Sequence, residues 1–464
     1  MENLSVDLVI IGSGPAGQKA AIQASKLKKT VVVIEKEGLL GGACLHSGTI
    51  PSKTLRAAIL DLTEFYLRSF YSKDYHLGDI NISDLSFRLN KVILDQKKAI
   101  EKHFDKNKII LIYGNAQFES SKIIDVKDNQ GNMIYRIKCE HTLIATGSNP
   151  RNPSDIPFDG KYILDSSTLL KIEQLPKSMI VLGGGVIGSE YASFFAALGV
   201  EVVLLDKKDH MLPKIDREIC VHLQEGLSSL GLKFLGNKHP KKIGVENNKA
   251  YVESEEGDRI EADILLYALG REASVADLSV ANAGISLGSR GYVNVNMQFQ
   301  TSTPNIYAVG DVIGGASLAS TSMEQGRLAA LAICNEKTHH FPEVFPIGIY
   351  TIPEVSSCGY TEEEVKQLGY NYEVGRAYYY EIAASQIYGS NNIGMIKIVF
   401  HAETLEILGV HIVGRQATEV IHIGQVAICF RSKIDFFINQ VFNYPTYAEG
   451  YRIAALNGYN KLKK

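Results

Sequence analysis

Residues 6–17 read VDLVIIGSGPAG, a mostly apolar run that ends in a glycine pattern. Gly12, Gly14 and Gly17 have the spacing G-x-G-x-x-G, and the residues after them have helical periodicity. A second apolar run, VVVIE, then ends at Glu35. Two apolar strands with a helix between them are typical of a buried parallel sheet. The glycines of such a unit allow a tight turn and a close approach of backbone to a pyrophosphate, and its acidic residue meets the ribose hydroxyls.

The same unit recurs at residues 179–206. Gly183, Gly185 and Gly188 repeat the glycine spacing, a helical segment follows, and the apolar run VEVVLLD ends at Asp206. In both copies the acidic residue lies 23 positions after the first glycine. Packing alone does not explain two copies with the same context, so the sequence predicts that one chain binds two dinucleotides.

If the second copy binds a nicotinamide nucleotide, the residue at its end bears on which nucleotide that is. A carboxylate at Asp206 suits a free 2′-hydroxyl and repels a 2′-phosphate. Lys207 and Lys208 follow directly and either offset that repulsion in part or form a solvated turn. We therefore expect NAD(H) at this site and keep NADP(H) as the alternative.

Composition bounds the class of protein. The chain has 464 residues, 45% of them hydrophobic, and a net charge of −3. This length corresponds to roughly three domains, and the charge gives no reason to expect nucleic acid or a membrane surface as a partner. The first residues, MENLSVDLVII, lack the basic region of a signal peptide, and no apolar run approaches the ~20 residues of a membrane span. We expect a cytoplasmic protein.

The six cysteines are widely spaced, with neighbours at least 24 positions apart. This spacing excludes the close pairs of zinc sites and gives no disulfide framework, so we predict no metal site and a reducing compartment. Most of the thiols are expected to be buried and inert.

Cys44 lies in the segment GGACLHSGTIPSK (41–53), and Thr49 stands five positions later, where a redox partner would lie. Pro51 and the run after it predict that Thr49 lies at or just before the start of a helix. Helix N-termini attract anions and electron-rich groups, so this spot can hold the edge of a cofactor. A pair of thiols would shuttle two electrons as a disulfide, which a lone thiol cannot do.

This segment resembles the active-site segment of the flavin disulfide reductases, the family of dihydrolipoamide dehydrogenase and glutathione reductase. The matching residues are Gly41, Gly42, Cys44, Gly48, Ile50, Pro51, Ser52 and Lys53. That family has cysteine at both positions, and the threonine variant is more similar to its soluble pyridine nucleotide transhydrogenase branch. The resemblance covers nearly the whole chain and implies FAD in the first glycine unit and NAD(P) in the second.

The resemblance implies an α/β fold with two Rossmann-like dinucleotide-binding domains and a C-terminal α+β dimerisation domain. The implied limits are 1–150 and 275–340 for a discontinuous FAD-binding domain, 151–274 for the NAD(P)-binding domain and 341–464 for the dimerisation domain. Within the first domain a mostly helical stretch from Thr54 to about Phe104 is interrupted near YSKDYHLGDINI. A homodimer formed through the C-terminal domain is therefore expected, with nicotinamide dinucleotides as the other partners.

The resemblance also implies roles for individual residues. Lys53 and Glu190 would pair near flavin N5 and, with Thr49, form the catalytic group, and Asp311 would bind the ribityl chain of FAD. The residues implied for FAD are Gly12, Gly14, Gly17, Glu35, Lys36, Gly42, Cys44, Lys53, Gly114, Ala116, Thr146, Gly147 and Asp311. Those implied for NAD(P) are Gly183, Gly185, Gly188, Glu190, Asp206, Gly270 and Arg271.

Two parts of dithiol chemistry are missing from this chain. Thr49 replaces the second sulfur, and the closing segment FNYPTYAEGYR lacks the histidine that the family carries at the position of Asn443 or Tyr444. The family pairs that histidine with a glutamate, which is present here as Glu449. The loss of the second sulfur and the loss of the histidine are consistent with each other, because each group is useless without the other. We therefore expect hydride to move between nicotinamide C4 and flavin N5 without a redox-active disulfide.

The acceptor of hydride from the reduced flavin decides the function. Our first hypothesis is a second nicotinamide nucleotide, bound in turn at the same site, so that NADPH and NAD⁺ give NADP⁺ and NADH. The alternative is an NAD(P)H diaphorase or quinone reductase, in which a quinone stacks on the vacated flavin face. Dihydrolipoamide dehydrogenase activity is less favoured, because Thr49 cannot form a thiolate.

A redox-dead flavoprotein scaffold is the least favoured reading of the sequence, because it would not need Lys53, Glu190 and Asp311.

Cys44 has two interpretations. It is either a redox-sensing thiol near the flavin or a small residue retained by packing, and the second is favoured.

Overall fold

The structure is a computed structural model that describes residues 1–67, 82–337, 339–389 and 393–463. It gives the side chains of these residues except 64–67, 82–86 and 289. The chain forms two compact units. The first consists of Met1–Thr54, Ser86–Arg151 and Gly270–Phe341, and the second of the described parts of Leu55–Leu85, Asn152–Leu269 and Pro342–Lys464.

The α-helices are α1 (Pro15–Lys26), α2 (Gly42–His46), α3 (Thr49–Leu67), α4 (Ile82–Lys106), α5 (Val186–Ala197), α6 (Arg217–Ser229), α7 (Ala319–Ile333), α8 (Glu362–Gln367), α9 (Ala383–Tyr388), α10 (Ala417–Cys429), α11 (Ile434–Asn439) and α12 (Gly450–Lys461). The strands are β1 (Glu2–Ile11), β2 (Val31–Glu35), β3 (Ile110–Tyr113), β4 (Asn115–Ser120), β5 (Ile123–Lys127), β6 (Met133–Ile144), β7 (Ser148–Pro150), β8 (Ile163–Leu164), β9 (Ser178–Leu182), β10 (Glu201–Leu205), β11 (Lys233–Leu235), β12 (Pro240–Glu246), β13 (Lys249–Ser254), β14 (Arg259–Ala262), β15 (Ile264–Tyr267), β16 (Arg271–Ala273), β17 (Ile306–Ala308), β18 (Ile347–Ile349), β19 (Val355–Gly359), β20 (Tyr372–Tyr378), β21 (Met395–His401) and β22 (Ile407–Val413).

The first unit is built on a seven-stranded sheet in the order β3-β2-β1-β6-β5-β4, with β17 added to β6. β1 pairs in parallel with β2 and β6, whereas β5 is antiparallel to β4 and β6. Helix α1, which follows β1, packs so closely on α7 that a Cβ on Gly326 of α7 would lie 2.1 Å from the Ala16 carbonyl oxygen. This packing fixes α1, the helix that follows the first glycine turn.

The second unit contains the second glycine turn and the C-terminal part of the chain. Its parallel sheet has the order β11-β10-β9-β15-β8, and strands β12-β13-β14 form a small antiparallel sheet. The C-terminal sheet is antiparallel in the order β18-β19-β22-β21-β20. One apolar core contains residues of both parts, among them Phe194 of α5, Leu223 of α6 and Met395 of β21. This shared core explains why the two parts form one compact unit.

The predicted fold class is confirmed, since the chain has a mixed sheet and a parallel sheet, each with Rossmann-like parallel strands, and a C-terminal α+β part. The helical pattern predicted after the first glycine unit corresponds to α3 and α4, and its interruption lies outside the described residues apart from Ile82. None of the described helices is long and apolar enough to cross a membrane.

The boundaries of the two units depart from the predicted domain limits by one residue each at Arg151 and Phe341 and by longer stretches in two places. Residues 270–274 belong to the first unit, because β16 pairs with β7 there. The described residues of Leu55–Leu85 belong to the second unit, because Ile59 of α3 is buried in the shared core. The division of the second unit into an NAD(P)-binding and a dimerisation domain stays a prediction.

Candidate dinucleotide-binding sites

The first glycine turn joins β1 to α1. Gly12 has φ +103°, and a Cβ there would lie 2.5 Å from the Ala145 carbonyl oxygen. A Cβ on Gly17 would lie 2.0 Å from the Gly12 carbonyl oxygen. The tight turn and the packing of α1 on β1 therefore require both glycines.

The second glycine turn, between β9 and α5, repeats this geometry. Gly183 has φ +107°, and a Cβ there would lie 2.8 Å from the Ala268 carbonyl oxygen. A Cβ on Gly188 would lie 1.8 Å from the Gly183 carbonyl oxygen. Two segments far apart in the chain thus form the same turn for the same steric reasons.

No steric constraint within the protein requires glycine at the two middle positions, Gly14 and Gly185. Their φ values are −61° and −74°, which other residues adopt freely, and no atom lies within 4 Å of a Cβ placed on either. Among the described glycines only these two combine an ordinary φ with open space. Each is the N-cap of its helix, where N–H groups lack intrahelical partners. The open space at each helix start therefore suits a group that approaches the backbone closely, as a pyrophosphate does.

The Glu35 carboxylate, at the end of β2, holds the first turn. Its Oε2 accepts hydrogen bonds from the Ser13 N–H and hydroxyl, both at 2.7 Å, and its Oε1 accepts one from the Lys36 N–H at 2.7 Å. Ser13 is fully buried, and its Oγ also accepts a bond from the Gly41 N–H at 2.9 Å. Ser13 was not predicted from the sequence. The only signal was the contrast with Gly184, which stands at the equivalent place in the second turn.

The segment 41–53 lies against the first turn and contains α2 and the start of α3. A Cβ on Gly42, which has φ +63°, would lie 3.1 Å from the Gly14 Cα. Helix α3 begins at Thr49, which confirms the predicted helix start. The Thr49 side chain lies near the Cys44 thiol, close enough to act on its ionisation, where the sequence predicts the place of a second sulfur. Burial raises the pKa of the Cys44 thiol, which is therefore protonated at neutral pH and a poor nucleophile.

Four of the predicted residues come together in the first unit. The charges of Lys53 and Asp311 act on the thiol of Cys44, which Thr49 also contacts. Lys53 Nζ also donates a hydrogen bond to Ser52 Oγ at 3.2 Å. A cationic and an anionic side chain thus act on the same thiol, and together they provide opposite charges for a bound cofactor.

Asp311 belongs to a chain of hydrogen bonds within the first unit. Its Oδ2 accepts a bond from the Ser148 hydroxyl at 2.8 Å, and Ser148 Oγ accepts one from Arg271 Nε at 2.8 Å. Arg271 was predicted for the NAD(P) site together with Gly270, whose carbonyl oxygen accepts a bond from the Arg151 N–H at 3.1 Å. Ser148 was not predicted, because no motif signals a residue whose partners lie more than a hundred positions away.

Thr146 provides a test of whether the first unit fits FAD. Its Oγ1 is buried and has no hydrogen-bond partner within the described part of the chain. A buried hydroxyl left unsatisfied costs about 1–3 kcal/mol. Gly147 follows with φ +71° and open space around it. With the space at Gly14 and the carboxylates of Glu35 and Asp311, these groups fit the phosphates, ribose and ribityl chain of FAD.

The other residues predicted to contact FAD have contacts within the protein that account for the residue type at each position. A Cβ on Gly114 would lie 2.5 Å from Val126 Cγ1, and Ala116 is buried in the apolar core of the sheet. The Lys36 ammonium pairs with Asp277 at 3.1 Å on the surface. Their contact with FAD stays a prediction.

Asp206 holds the second turn as Glu35 holds the first. Its Oδ2 accepts a hydrogen bond from the Gly184 N–H at 2.6 Å, and its Oδ1 accepts one from the Lys208 N–H at 2.7 Å. The side chains of Lys207 and Lys208 are exposed, and neither forms an ion pair with another described residue. Both interpretations of these lysines, a partial charge offset and a solvated turn, therefore stay open.

Glu190 of α5 is 4% exposed, and its Oε1 accepts a hydrogen bond from the Tyr350 N–H at 2.9 Å. A buried carboxylate in α5 is suited to a charged partner. The predicted pair of Glu190 with Lys53 would join residues of the two units, and it stays a prediction.

Comparisons with known proteins agree over nearly the full length. Residues 6–326 match the family model "Pyridine nucleotide-disulphide oxidoreductase", and residues 345–455 match the model of its dimerisation domain. A protein of Mycobacterium bovis named soluble pyridine nucleotide transhydrogenase is 42% identical over 458 residues, which is 98% of both chains. One of Pseudomonas putida with the same name is 39% identical over 459 residues, again 98% of both chains.

Solved structures with the same fold are also known. The HOCl-induced flavoprotein disulfide reductase RclA from Escherichia coli has a TM-score of 0.87 and 26% identity, with 97% of this chain and 99% of that chain covered. LpdA from Mycobacterium tuberculosis has a TM-score of 0.88 and 24% identity, with 98% and 99% covered. The second likeness concerns the fold alone.

Proposed function

Because the chain belongs to the pyridine nucleotide-disulphide oxidoreductase family, we propose that it is an FAD-dependent oxidoreductase that moves hydride between nicotinamide nucleotides. NADPH and NAD⁺ give NADP⁺ and NADH, with the two nucleotides bound in turn at the second glycine turn. Relatives of 42% and 39% identity carry the name soluble pyridine nucleotide transhydrogenase.

The observation that carries this proposal is the pair of middle glycines, Gly14 and Gly185. Each has an ordinary φ and open space on the side of its absent Cβ. The protein itself would accept a side chain at either position, so the reason for glycine lies in a bound group. Two such positions, at equivalent places in two turns, support two dinucleotides rather than one.

The residues of the chain bind and orient the nucleotides. Bound FAD would supply the hydride-accepting and hydride-donating chemistry between two nicotinamide rings. Glu35 and Asp206 each fix a turn through backbone N–H groups and keep acceptor capacity for a ribose. Thr146 would donate its unpaired hydroxyl to FAD, and Lys53 would provide positive charge to the bound ring.

Two local environments support a reaction without a redox-active disulfide. The Thr49 side chain lies near the Cys44 thiol, at the sequence position where the family has its second sulfur. In the closing segment, the Glu449 Oε1 accepts a hydrogen bond from the Ala383 N–H at 3.3 Å, and burial raises the pKa of its carboxyl. Glu449 thus has a backbone partner in place of an imidazole. These contacts favour transfer between nucleotides over dithiol reduction.

We propose that the protein is a cytoplasmic homodimer. Residues 345–455 match a dimerisation domain, and several large apolar side chains near its end are exposed. Phe430, Val441 and Tyr444 are 80%, 92% and 75% exposed. Large exposed apolar groups are typical of interaction surfaces, and a second copy of the chain would cover them.

Anaerobic titration of the oxidised protein with NADH, followed by thio-NADP⁺ or thio-NAD⁺, tests the proposed reaction. Flavin and thionicotinamide absorbance are read together. We expect the flavin to bleach and then recover as the thionicotinamide is reduced. Recovery only with menadione or oxygen would replace the proposal by a quinone reductase.

Asp206→Asn is expected to lower the preference for NADH over NADPH by about tenfold, which corresponds to ~1.4 kcal/mol of removed repulsion. Asparagine keeps the volume and an acceptor for the Gly184 N–H but has no charge to repel a 2′-phosphate. The ratio of kcat/KM values for the two nucleotides measures this. Asp209→Asn is a matched control, because Asp209 is a nearby exposed carboxylate paired with Arg217 at 2.8 Å. An unchanged ratio in the Asp206 variant would show that this carboxylate does not lie at the ribose.

Thr49→Cys is expected to produce almost no lipoamide reductase activity. Thr49 lies near the Cys44 thiol, so the substitution places a second sulfur close to the first. The acid–base histidine is still missing, and general acid–base catalysis contributes ~10²–10⁴-fold. Titration of free thiols shows whether a disulfide forms, and lipoamide-dependent NADH oxidation measures the activity. Robust turnover would contradict the claim that the histidine is also required.

A further inference from the structure

Lys397 of β21 is an almost fully buried cation, with 1% of its side chain exposed. Its Nζ lies 2.9 Å from Asp216 Oδ1, 2.9 Å from Glu218 Oε2 and 2.6 Å from Glu362 Oε2. Arg376 adds a second cation, with Nε 2.6 Å and Nη2 2.9 Å from the Glu218 carboxylate. We call these five residues the Lys397 network. Burying a charge costs several kcal/mol unless it is paired, so each member requires the others.

The network fixes the start of α6 to the C-terminal sheet. Asp216 is the N-cap of α6, and its Oδ1 accepts bonds from the Glu218 and Ile219 N–H groups at 3.2 and 3.4 Å. Its Oδ2 accepts a bond from the N–H of Glu362, the first residue of α8, at 3.2 Å. The Asp216 side chain therefore joins α6, α8 and, through Lys397, strand β21.

The segment before α6 holds the second glycine turn. Leu212 is buried and has φ +53°, and its N–H donates a hydrogen bond to the Gly184 carbonyl oxygen at 2.8 Å. The Ile215 N–H donates to the Leu212 carbonyl oxygen at 2.9 Å, which closes the segment just before Asp216. Since Asp206 accepts from the Gly184 N–H, both backbone polar groups of Gly184 are bound.

The first glycine turn lacks an equivalent connection among the described residues. The carbonyl oxygen of Ser13, which corresponds to that of Gly184, accepts a bond from Gln18 Nε2 at 2.7 Å. Gln18 belongs to α1, the helix that the turn itself begins, and the Ser189 hydroxyl of α5 donates the equivalent bond to the Gly184 carbonyl oxygen at 3.1 Å. The bond from the Leu212 N–H is therefore the additional one. The connection from a glycine turn to a distant sheet is thus particular to the second turn.

We propose that Lys397 is a positioning residue for the nicotinamide nucleotide. Through Asp216 it fixes the start of α6, and through Leu212 the same segment fixes Gly184 in the turn that faces the nucleotide. Lys397 does not itself line the turn. This inference rests on the proposed binding of the nucleotide at the second glycine turn.

The double variant Lys397→Met/Asp216→Asn tests the proposal. It removes one positive and one negative charge together and keeps an N-cap residue on α6. Lys397→Met by itself would leave buried carboxylates unpaired and is expected to unfold the second unit. We expect the Kd for NAD⁺, measured by calorimetric titration of the flavoprotein, to rise about fivefold or more, as for other coupled positioning networks. The KM for NADH should rise equally, with kcat and FAD content unchanged.

Arg259→Met is the matched control. Arg259 also contacts three carboxylates in the same unit, those of Glu246, Glu253 and Glu261, but this group is exposed on the small antiparallel sheet. The Kd of the Arg259→Met variant for NAD⁺ should equal that of the unchanged protein. A folded double variant that binds NAD⁺ normally would overturn the proposal, and so would a loss of FAD in parallel with NAD⁺. Failure of the proposed reaction would appear separately, as NAD⁺ binding without hydride transfer between nucleotides.

Discussion

Gly14→Ser is expected to give a folded protein that binds FAD about tenfold or more weakly and is purified with less FAD, since the loss of a close contact costs ~1.4 kcal/mol or more. No atom of the protein lies within 4 Å of a Cβ at this position, and φ is −61°. Serine is among the preferred N-cap residues, so α1 should not be destabilised. The added atoms would instead fill the space that a pyrophosphate needs.

Gly185→Ser is the matched variant, because it makes the same change at the equivalent place of the second turn. This protein should be purified with FAD, but NADH should no longer bleach the flavin under anaerobic conditions. Flavin absorbance measures both effects, and circular dichroism during heating confirms that each variant is folded. Full FAD content in the first variant, or loss of FAD in the second, would contradict the assignment of the two turns.

Lys53→Met is expected to slow the reduction of bound FAD by NADH about 100-fold, the usual effect of removing one electrostatic stabiliser. Lys53 lies in the first turn of α3, close enough to Cys44 to act on its thiol. Its loss removes positive charge from the predicted site while the glycine turn stays intact, so FAD content should not change. Stopped-flow absorbance gives the rate. Lys127→Met is the control, because Lys127 is a partly buried lysine of the same unit that bonds to Gln117 at 2.9 Å.

A double-mutant cycle of Lys53→Met with Glu190→Gln tests the predicted pair of these residues. If they act together, the effects of the single substitutions on the reduction rate should fail to add by ~1 kcal/mol or more. Additive effects would show that the two side chains act independently. The Tyr350 N–H, which Glu190 binds at 2.9 Å, keeps an acceptor in the glutamine variant.

Much of the candidate site was predictable, because its constraints are local in the chain. Gly12, Gly17 and Glu35 follow from a turn, a helix and a strand end that are contiguous in sequence. The start of α3 at Thr49 follows from Pro51 and from the pattern after it. Such features leave a spacing or a periodicity that can be read without knowledge of the fold.

The residues that were not predicted have distant partners. Ser13 binds Glu35 and Gly41, 22 and 28 positions away, and Ser148 binds Asp311, 163 positions away. A hydroxyl of this kind belongs to no motif, and serine is common in loops. The domain limits differ for a similar reason, because the pairing of β16 with β7 is made between segments far apart in the chain.

The sequence by itself determined that the chain has two dinucleotide units and that threonine replaces the second sulfur, because both are properties of short contiguous segments. Only the tertiary structure decided which glycines face open space, since Gly14 and Gly17 belong to one motif and differ only in what surrounds them. It also brought Lys397 to Asp216, 181 positions away, in a network that holds the second turn. A buried charge requires partners from whichever segments the fold brings near, and no local pattern specifies them.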